Sequence, residues 1–203
     1  MLQRADPSLV LASASASRRA LLAGAGLNAA IVPSSIDETP IKRDAWAHRV
    51  DAETTALRLA DAKAESVALA RPDAIVIGAD QILVCDDIWF DKPVSPEAAR
   101  DQLLRLRGRE HRLATAATCY HGGRRVWHHV ASPRLVMRRF SDSFLDVYLT
   151  EEGAAVTTSV GAYRLEGRGI HLFSHVEGEH ATILGLPLLA LLAFLRDVGA
   201  LLD

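Results

Sequence analysis

Short apolar runs rich in aliphatic residues alternate along this chain with longer segments of helical periodicity. The run at 74–77 predicts a buried strand, and the runs at 9–12 and 28–32 predict two further strands. Segment 52–69 places its apolar residues at helical spacing, which predicts an amphipathic helix. A second helix is predicted over 95–106, where a serine in the N-cap position precedes a proline. These segments together indicate an α/β protein.

The second half of the chain adds several strands in succession. Strands are predicted at 111–120, 124–130, 134–140 and 172–176, and helices at 141–150 and after Pro187. Adjacent strands between helices favour a mixed, strongly twisted sheet with flanking helices over a regular βαβ repeat.

The stretch 74–93 is the one around which the rest of the chain is organised. After its first strand, segments 82–84 and 88–90 are predicted to form a hairpin about the tight turn Asp86-Asp87. This hairpin carries the chain back toward the end of the first strand.

Polar groups lie on both sides of that hairpin. Gly78 lets the backbone come close to another group, and Asp80 and Gln81 follow at once. The hairpin is expected to return Lys92 to about their level. A carboxylate and an ammonium at the mouth of a buried strand suit metal and phosphate chemistry. The alternative is a surface aspartate and lysine flanking an ordinary hairpin.

A small hydroxyl-rich loop, 13–17, follows the first predicted strand, and Arg18 and Arg19 open a helical segment after it. A strand, a serine-rich loop and a basic helix start form a phosphate-binding geometry, because the helix N-terminus presents N–H donors and arginine supplies charge. The alternative is a serine N-cap and two solvated arginines.

Three further polar positions are candidates for function. Asp37 and Glu38 lie in a predicted polar loop, fit for metal coordination or for solvent, and Lys63 lies among alanines on the helix over 52–69. The segment 161–170 has three glycines and is predicted to be a loop that approaches a ligand, with Glu166 among the side chains available for contact.

Composition narrows the function classes. The 203 residues are 49% hydrophobic and 24% charged, which fits one domain or two intimately packed lobes, and we expect a single domain over 1–203. The formal net charge of -2 gives no general attraction to nucleic acid or anionic membranes, so we expect neither as a partner.

The cysteines and the apolar segments predict a soluble cytoplasmic protein. Cys85 and Cys119 are too few for a disulfide framework or a zinc site. The apolar run 183–195 is too short to span a bilayer and is predicted to be a buried C-terminal helix. His171 and His175, four apart in a predicted strand, are poorly spaced for joint metal ligation.

Several of these segments, taken together and in order, resemble the Maf family of nucleoside triphosphate pyrophosphatases. The matching motifs are Leu11-Ala-Ser-Ala-Ser-Ala-Ser-Arg-Arg-Ala-Leu-Leu22, Ile36-Asp-Glu-Thr39, Ala62-Lys-Ala64, Gly78-Ala-Asp-Gln81, Asp91-Lys-Pro93, Gly161-Ala-Tyr163, Glu166-Gly-Arg-Gly169 and Gly185-Leu-Pro-Leu188. The resemblance runs from about Leu9 to Val198.

The resemblance implies hydrolysis of a nucleoside triphosphate between the α- and β-phosphates, giving nucleoside monophosphate and pyrophosphate. It also implies a divalent metal cofactor, Mg²⁺ or Mn²⁺, a two-lobed fold around a central cleft, and a homodimer as one form of assembly. Some family members are described as inhibitors of septum formation.

Site residues are carried over from the family motifs position by position. Asp80 matches the general base, and Glu38 matches an acidic residue near the metal, so both are expected to contact the ion. Lys63 and Lys92 match lysines that hold phosphate oxygens. Ser13, Ser15 and Arg18 match the phosphate-binding loop.

The resemblance also predicts the nucleotide base. Family members that act on 7-methyl-GTP have Trp, Gln and Glu at the places of Ser17, Gln81 and Glu166, and members that act on dTTP and UTP have Arg, Thr and Gln. The chain agrees with the first group at two places and with neither at Ser17. A carboxylate at Glu166 can accept hydrogen bonds from guanine and favours a cationic methylated purine.

Three alternatives stay open at this point. The first is a dTTP or UTP pyrophosphatase of the same family. The second is a non-catalytic regulator of septum formation that keeps the fold. The third is a different phosphohydrolase, which would release orthophosphate rather than pyrophosphate.

Overall fold

The computed structural model describes residues 2–202 and has the predicted mixed α/β architecture, with a sheet of parallel and antiparallel strands flanked by helices. Its strands are β1 (Leu9–Leu11), β2 (Ala29–Ile31), β3 (Ile75–Cys85), β4 (Ile88–Phe90), β5 (Glu110–His121), β6 (Arg124–Ala131), β7 (Arg134–Met137) and β8 (Phe173–Glu177). Its helices are α1 (Ala16–Gly24), α2 (Thr39–Ala47), α3 (Ala52–Ala68), α4 (Pro96–Leu106), α5 (Asp142–Glu152), α6 (His180–Ile183) and α7 (Leu188–Asp197).

The chain divides into two compact units, and the division falls within β3 and β5. The first unit comprises Met1–Gln81, Thr115–Ala131 and Gly185–Asp203. The second unit comprises Ile82–Ala114 and Ser132–Leu184.

In the first unit β1 pairs in parallel with both β2 and β3, and β6 pairs antiparallel with β5. Side chains alternate across a strand, so β1 contributes to two cores. Leu9 and Leu11 pack with residues of α1 and α7 such as Leu22 and Leu195. Val10 lies in the other core, with Ala64 and its neighbours on α3. Strand β1 is therefore buried on both faces, whereas β2 at the edge of the sheet is partly exposed.

In the second unit the end of β3 pairs with β4, and β7 pairs with both β5 and β8, all antiparallel. One core gathers residues of these strands, such as Leu83 and Leu135, against α4 and α5, which contribute Leu103 and Leu145. Short 3-10 turns, Gly153–Thr157, Val160–Ala162 and Arg168–Leu172, connect α5 to β8.

The predicted break between two strands in the stretch 74–93 is wrong. β3 is one strand of 11 residues that continues through Gly78 and Asp80. Gly78 does not end the strand. A glycine is needed at this position because α3 packs closely against the strand. The tight turn at Asp86-Asp87 is confirmed, with positive φ at both residues.

Four other predictions need correction. The predicted polar loop ends at Glu38, because α2 begins at Thr39. The first helix begins at Ala16, two residues before the predicted start. Strand β7 ends at Met137, earlier than predicted. His171 lies in a 3-10 turn rather than in the strand that contains His175.

The C-terminal helix α7 begins at Leu188, directly after Pro187 as predicted, and Ile183, the first residue of the apolar run, ends the short helix α6. Leu191, Phe194 and Leu195 of α7 are buried, as predicted for a core helix. Within residues 2–202, the helices are all too short or too polar to cross a bilayer.

Candidate active site

The alternation of β3 places Asp80 on the face that packs against α3. Ile75, Ile77 and Ala79 point into one core and Val76 points into the other, so residues 78 and 80 share the α3 side. A Cβ added at Gly78 would lie 2.2 Å from the carbonyl oxygen of Ala60. The glycine therefore permits the close approach that brings the helix onto the strand.

Helix α3 supplies the cation that meets Asp80. Its N-cap is Asp51, whose side chain accepts a hydrogen bond from the backbone N–H of Thr54, and Ala60 and Ala64 form its contact surface beside the strand. Lys63 lies on the same turn, and its Nζ is 2.5 Å from Asp80 Oδ1. The alternative of a solvated lysine on a helix face is excluded, because only 14% of the Lys63 side chain is exposed to solvent.

Glu38 completes a row of three charged groups. It occupies the N-cap position of α2 but makes no capping hydrogen bond. Its Oε1 lies 2.7 Å from Lys63 Nζ, and its Oε2 lies 3.4 Å from Lys42 Nζ. Burial alone would raise the pKa of Glu38, but the hydrogen bonds and charges of the two lysines outweigh it and lower the pKa below its usual value.

The loop between β1 and α1 is built by its own serines. Ser15 is the N-cap of α1 and accepts a hydrogen bond from the backbone N–H of Arg18. Ser13 Oγ accepts from the backbone N–H of Ser15 and from Arg18 Nη1 at 3.1 Å. Each hydroxyl still carries an O–H that can donate to a phosphate oxygen.

Arg18 is a buried cation, whereas Arg19 is exposed. The alternative of two solvated arginines is therefore wrong for Arg18. The Nε of Arg18 donates to the carbonyl oxygen of Gly185 at 2.8 Å. Burial lowers the pKa of Arg18, and the charges of Asp80 and Glu38 partly offset this effect. The guanidinium therefore lies within electrostatic reach of both carboxylates.

Two of the predicted specificity residues also belong to the first unit. Ser17 lies half-buried in the first turn of α1. Gln81 follows Asp80 on β3, and its Nε2 donates to Thr115 Oγ1 at 2.8 Å. Because Thr115 is buried, this bond holds the amide of Gln81 in one orientation.

The structure places Lys92 and Glu166 in the second unit. Lys92 is exposed and lies two residues beyond the last β4 pair, Leu83↔Phe90. Glu166 is exposed on a turn that precedes a 3-10 segment. The roles of both residues stay predictions.

The arrangement in the first unit can bind an anion and orient a water molecule. Within residues 2–202, there is no group of three or more His, Cys, Asp or Glu side chains that could hold a metal ion. Mg²⁺ is usually bound through one or two carboxylates together with waters and substrate phosphates. Glu38 and Asp80, which both contact Lys63, fit a cation of that kind.

Sequence reasoning missed several partners of the predicted residues. Lys42 is four residues after Glu38, and the spacing would have revealed it had α2 been recognised. Thr115 and the Gly185 carbonyl are distant in sequence from the side chains they hold, and no local pattern points to them.

Comparison with known proteins identifies relatives over nearly the whole chain. Residues 8–198 match a family described as "Maf-like protein". The chain is 51% identical to a nucleoside triphosphate pyrophosphatase of Granulibacter bethesdensis, over 95% of this chain and 98% of that protein. It is 48% identical to a protein of the same name from Rhodospirillum rubrum, over 97% and 98% of the two chains.

A further relative carries a more specific name. The chain is 44% identical to a 7-methyl-GTP pyrophosphatase of Mesorhizobium japonicum, over 95% of this chain and 97% of that protein. These matches confirm the resemblance seen in the motifs.

Proposed function

Because this chain belongs to the Maf family, we propose that it is an enzyme that hydrolyses nucleoside triphosphates to nucleoside monophosphate and pyrophosphate. The observation that carries the proposal is the row Glu38, Lys63 and Asp80 beside the buried guanidinium of Arg18. Phosphoryl-type chemistry needs mainly positioning, cations and one carboxylate that orients water, and this row supplies those parts.

Asp80 is the proposed general base. A carboxylate accepts the proton of the attacking water as the bond to phosphorus forms. Lys63 contacts Asp80 and Glu38 together, so it fixes the Asp80 side chain and places a positive charge where anionic oxygens would lie.

Arg18 and the serine loop are proposed to hold phosphate oxygens. The guanidinium is fixed by Gly185 and Ser13 through Nε and Nη1. A guanidinium carries five N–H donors, so others remain for a phosphate oxygen. Lys92, from its place in the family motif, is proposed as a second lysine that stabilises the leaving pyrophosphate.

A divalent cation, Mg²⁺ or Mn²⁺, is part of the proposal. Glu38 and Asp80 would hold it together with substrate oxygens. When bound, such an ion neutralises the negative charge that develops on the phosphates. The activity is therefore expected to disappear in excess EDTA and to return when the metal is added back.

The proposed substrate is 7-methyl-GTP. Gln81 and Glu166 support this choice because they agree with the family members that act on that nucleotide, and one relative bears that name. A carboxylate at Glu166 suits both guanine N–H groups and the positive charge of the methylated ring. The second candidate, a dTTP or UTP pyrophosphatase, would need different residues at both positions.

The deciding experiment is a panel of standard and modified nucleoside triphosphates, assayed separately for pyrophosphate and orthophosphate. Selective release of pyrophosphate from 7-methyl-GTP is the expected result. Release from dTTP and UTP instead would keep the enzyme and overturn the substrate. Orthophosphate alone would indicate a different phosphohydrolase, and no product from any nucleotide would favour the non-catalytic regulator of septum formation.

A further inference from the structure

Glu166 lies at the outer corner of a tight turn in the second unit. The backbone N–H of Gly167 donates to the carbonyl oxygen of Arg164 at 3.1 Å, which closes the turn around Leu165 and Glu166. Leu165 is buried in the core, and Glu166 is exposed. One central residue therefore anchors the turn while the other is presented to solvent.

The chain on both sides of this turn is packed tightly. A Cβ added at Gly169 would lie 2.4 Å from the carbonyl oxygen of Arg164, so the segment after the turn lies directly on its first residue. Before the turn, the hydroxyl of Tyr148 on α5 donates to the carbonyl oxygen of Ala162 at 3.1 Å. Helix α5 thus holds the approach to the turn.

The last residue of α5, Glu152, holds the turn itself. Its side chain is 1% exposed. Its Oε2 accepts hydrogen bonds from Arg164 Nη2 at 3.0 Å and from Arg164 Nε at 3.3 Å. Its Oε1 lies 3.6 Å from Arg168 Nη1, within ion-pair distance but too far for a hydrogen bond.

The two arginines stand on either side of Glu166, at positions 164 and 168. A buried carboxylate is costly unless it is paired, and here the pairing ties both flanks of one turn to a single buried group. Arg168 also has a more exposed partner, Glu151, at 3.1 Å. Glu152 is therefore the buried centre of the cluster, and Glu151 is an outer contact.

We propose that Glu152 is a positioning residue that fixes the turn bearing Glu166 and thereby sets the selectivity for the nucleotide base. The inference rests on the proposed function, in which Glu166 contacts the base. Glu152 acts through Arg164 and Arg168 and does not itself touch the substrate. Its effect is expected on base recognition and not on the hydrolytic step.

The test is a comparison of Glu152→Gln with the parent enzyme on 7-methyl-GTP and on GTP. The amide keeps the shape of the side chain but removes the charge that holds both guanidinium groups. We expect the preference in kcat/KM for the methylated nucleotide to fall on the order of tenfold, the cost of one charge-assisted hydrogen bond. The change should lie in KM, with kcat altered by less than about twofold.

A matched control is Glu177→Gln, which removes an exposed ion pair with Arg134 in the same unit and does not touch the turn. Glu177→Gln should leave the preference unchanged. Glu166→Gln should reduce it, and adding Glu152→Gln to Glu166→Gln should reduce it no further, because both act through one contact. Additive effects of the two substitutions would overturn the inference.

The outcomes separate the inference from the function on which it rests. If Glu166→Gln lowers the nucleotide preference and Glu152→Gln does not, only the positioning role of Glu152 is overturned. No effect of Glu166→Gln removes base recognition from the proposed function. If Glu152→Gln does not fold, Arg164→Lys serves instead, because lysine cannot make the two-pronged contact.

Hydrogen exchange gives a readout that does not depend on activity. In the full-length protein, the backbone amides of 164–169 should exchange faster in Glu152→Gln than in the parent, and at parent rates in Glu177→Gln. Unchanged exchange at these amides would overturn the positioning role even if the nucleotide preference had changed.

Discussion

Lys63 Nζ lies 2.5 Å from Asp80 Oδ1, although the two residues belong to different elements and are 17 positions apart. The contact exists because Gly78, two residues before Asp80, lets α3 lie directly on β3. Helix packing, strand alternation and a single glycine thus produce the pair that the proposed chemistry depends on.

Asp80→Asn is expected to lower turnover by about 10²-fold or more, the usual cost of removing a general base. Nucleotide binding should largely survive, because Lys63 and Arg18 remain. Steady-state assays of pyrophosphate release and titration with a non-hydrolysable nucleotide measure the two quantities. Asp44→Asn, at an exposed carboxylate on α2, is the control and should behave like the parent enzyme. Full turnover in Asp80→Asn would assign the base to another group.

Arg18→Lys and Arg19→Lys are neighbouring substitutions with different expected effects. Lysine at position 18 carries its donors on one nitrogen and cannot reproduce the separate N–H groups that reach Gly185 and Ser13, so kcat/KM should fall on the order of tenfold or more. Arg19 is exposed, so its replacement should leave kcat/KM within about twofold of the parent value. Equal effects of the two substitutions would show that the burial of Arg18 is irrelevant to catalysis.

Gly78→Ala should both destabilise the protein and reduce its activity. The added Cβ would meet the carbonyl oxygen of Ala60 at 2.2 Å and the Cβ of Ala64 at 2.8 Å, so α3 must move away from β3. Overpacking of this kind costs about 1–3 kcal/mol in the free energy of unfolding, measured by denaturant titration. The same movement separates Lys63 from Asp80, so turnover should fall as well.

Gly24→Ala is the matched control for that substitution. Gly24 is the last residue of α1, and a Cβ there would meet no atom of the described part of the chain within 4 Å. Because alanine is a better helix residue than glycine, the stability should stay within about 1 kcal/mol of the parent value or rise slightly. A stable, active Gly78→Ala variant would contradict the close-packing argument.

His111 is expected to make the stability of the second unit depend on pH. Its Nε2 lies 2.9 Å from the hydroxyl of Tyr163, its Nδ1 has no hydrogen-bond partner among residues 2–202, and burial lowers its pKa to about 4. Between that value and the ordinary pKa of about 6.5, the unfolded chain binds a proton that the folded chain does not. The free energy of unfolding therefore has its full value above about pH 6.5. It falls progressively toward pH 4, by roughly 3 kcal/mol.

Thermal unfolding across that pH range measures the effect. In His111→Gln the decline between about pH 6.5 and pH 4 should be shallower than in the parent, whatever the absolute stability of the variant. His175→Gln, at an exposed histidine of β8, should keep the parent slope. Identical slopes in all three proteins would assign the pH dependence to other groups.

Much of the fold could be predicted from the sequence because its signals are local. The helical periodicity of α3, the Ser95-Pro96 start of α4 and the Asp86-Asp87 turn each depend on neighbouring residues, and each was predicted correctly. Helix α2 was missed, since its sequence begins among polar residues that are equally typical of a loop.

The sequence by itself determined the positions of α3, α4, α5 and α7, the serine-rich loop before Arg18 and the family motifs, because periodicity, capping and motif spacing are properties of adjacent residues. Only the tertiary structure decided that β3 continues through Gly78, that Lys63 meets Asp80 and Glu38, and that Arg18 is held by Gly185. Those contacts depend on strand register and on the distance between packed elements, which join residues 17 to 167 positions apart and leave no pattern along the chain.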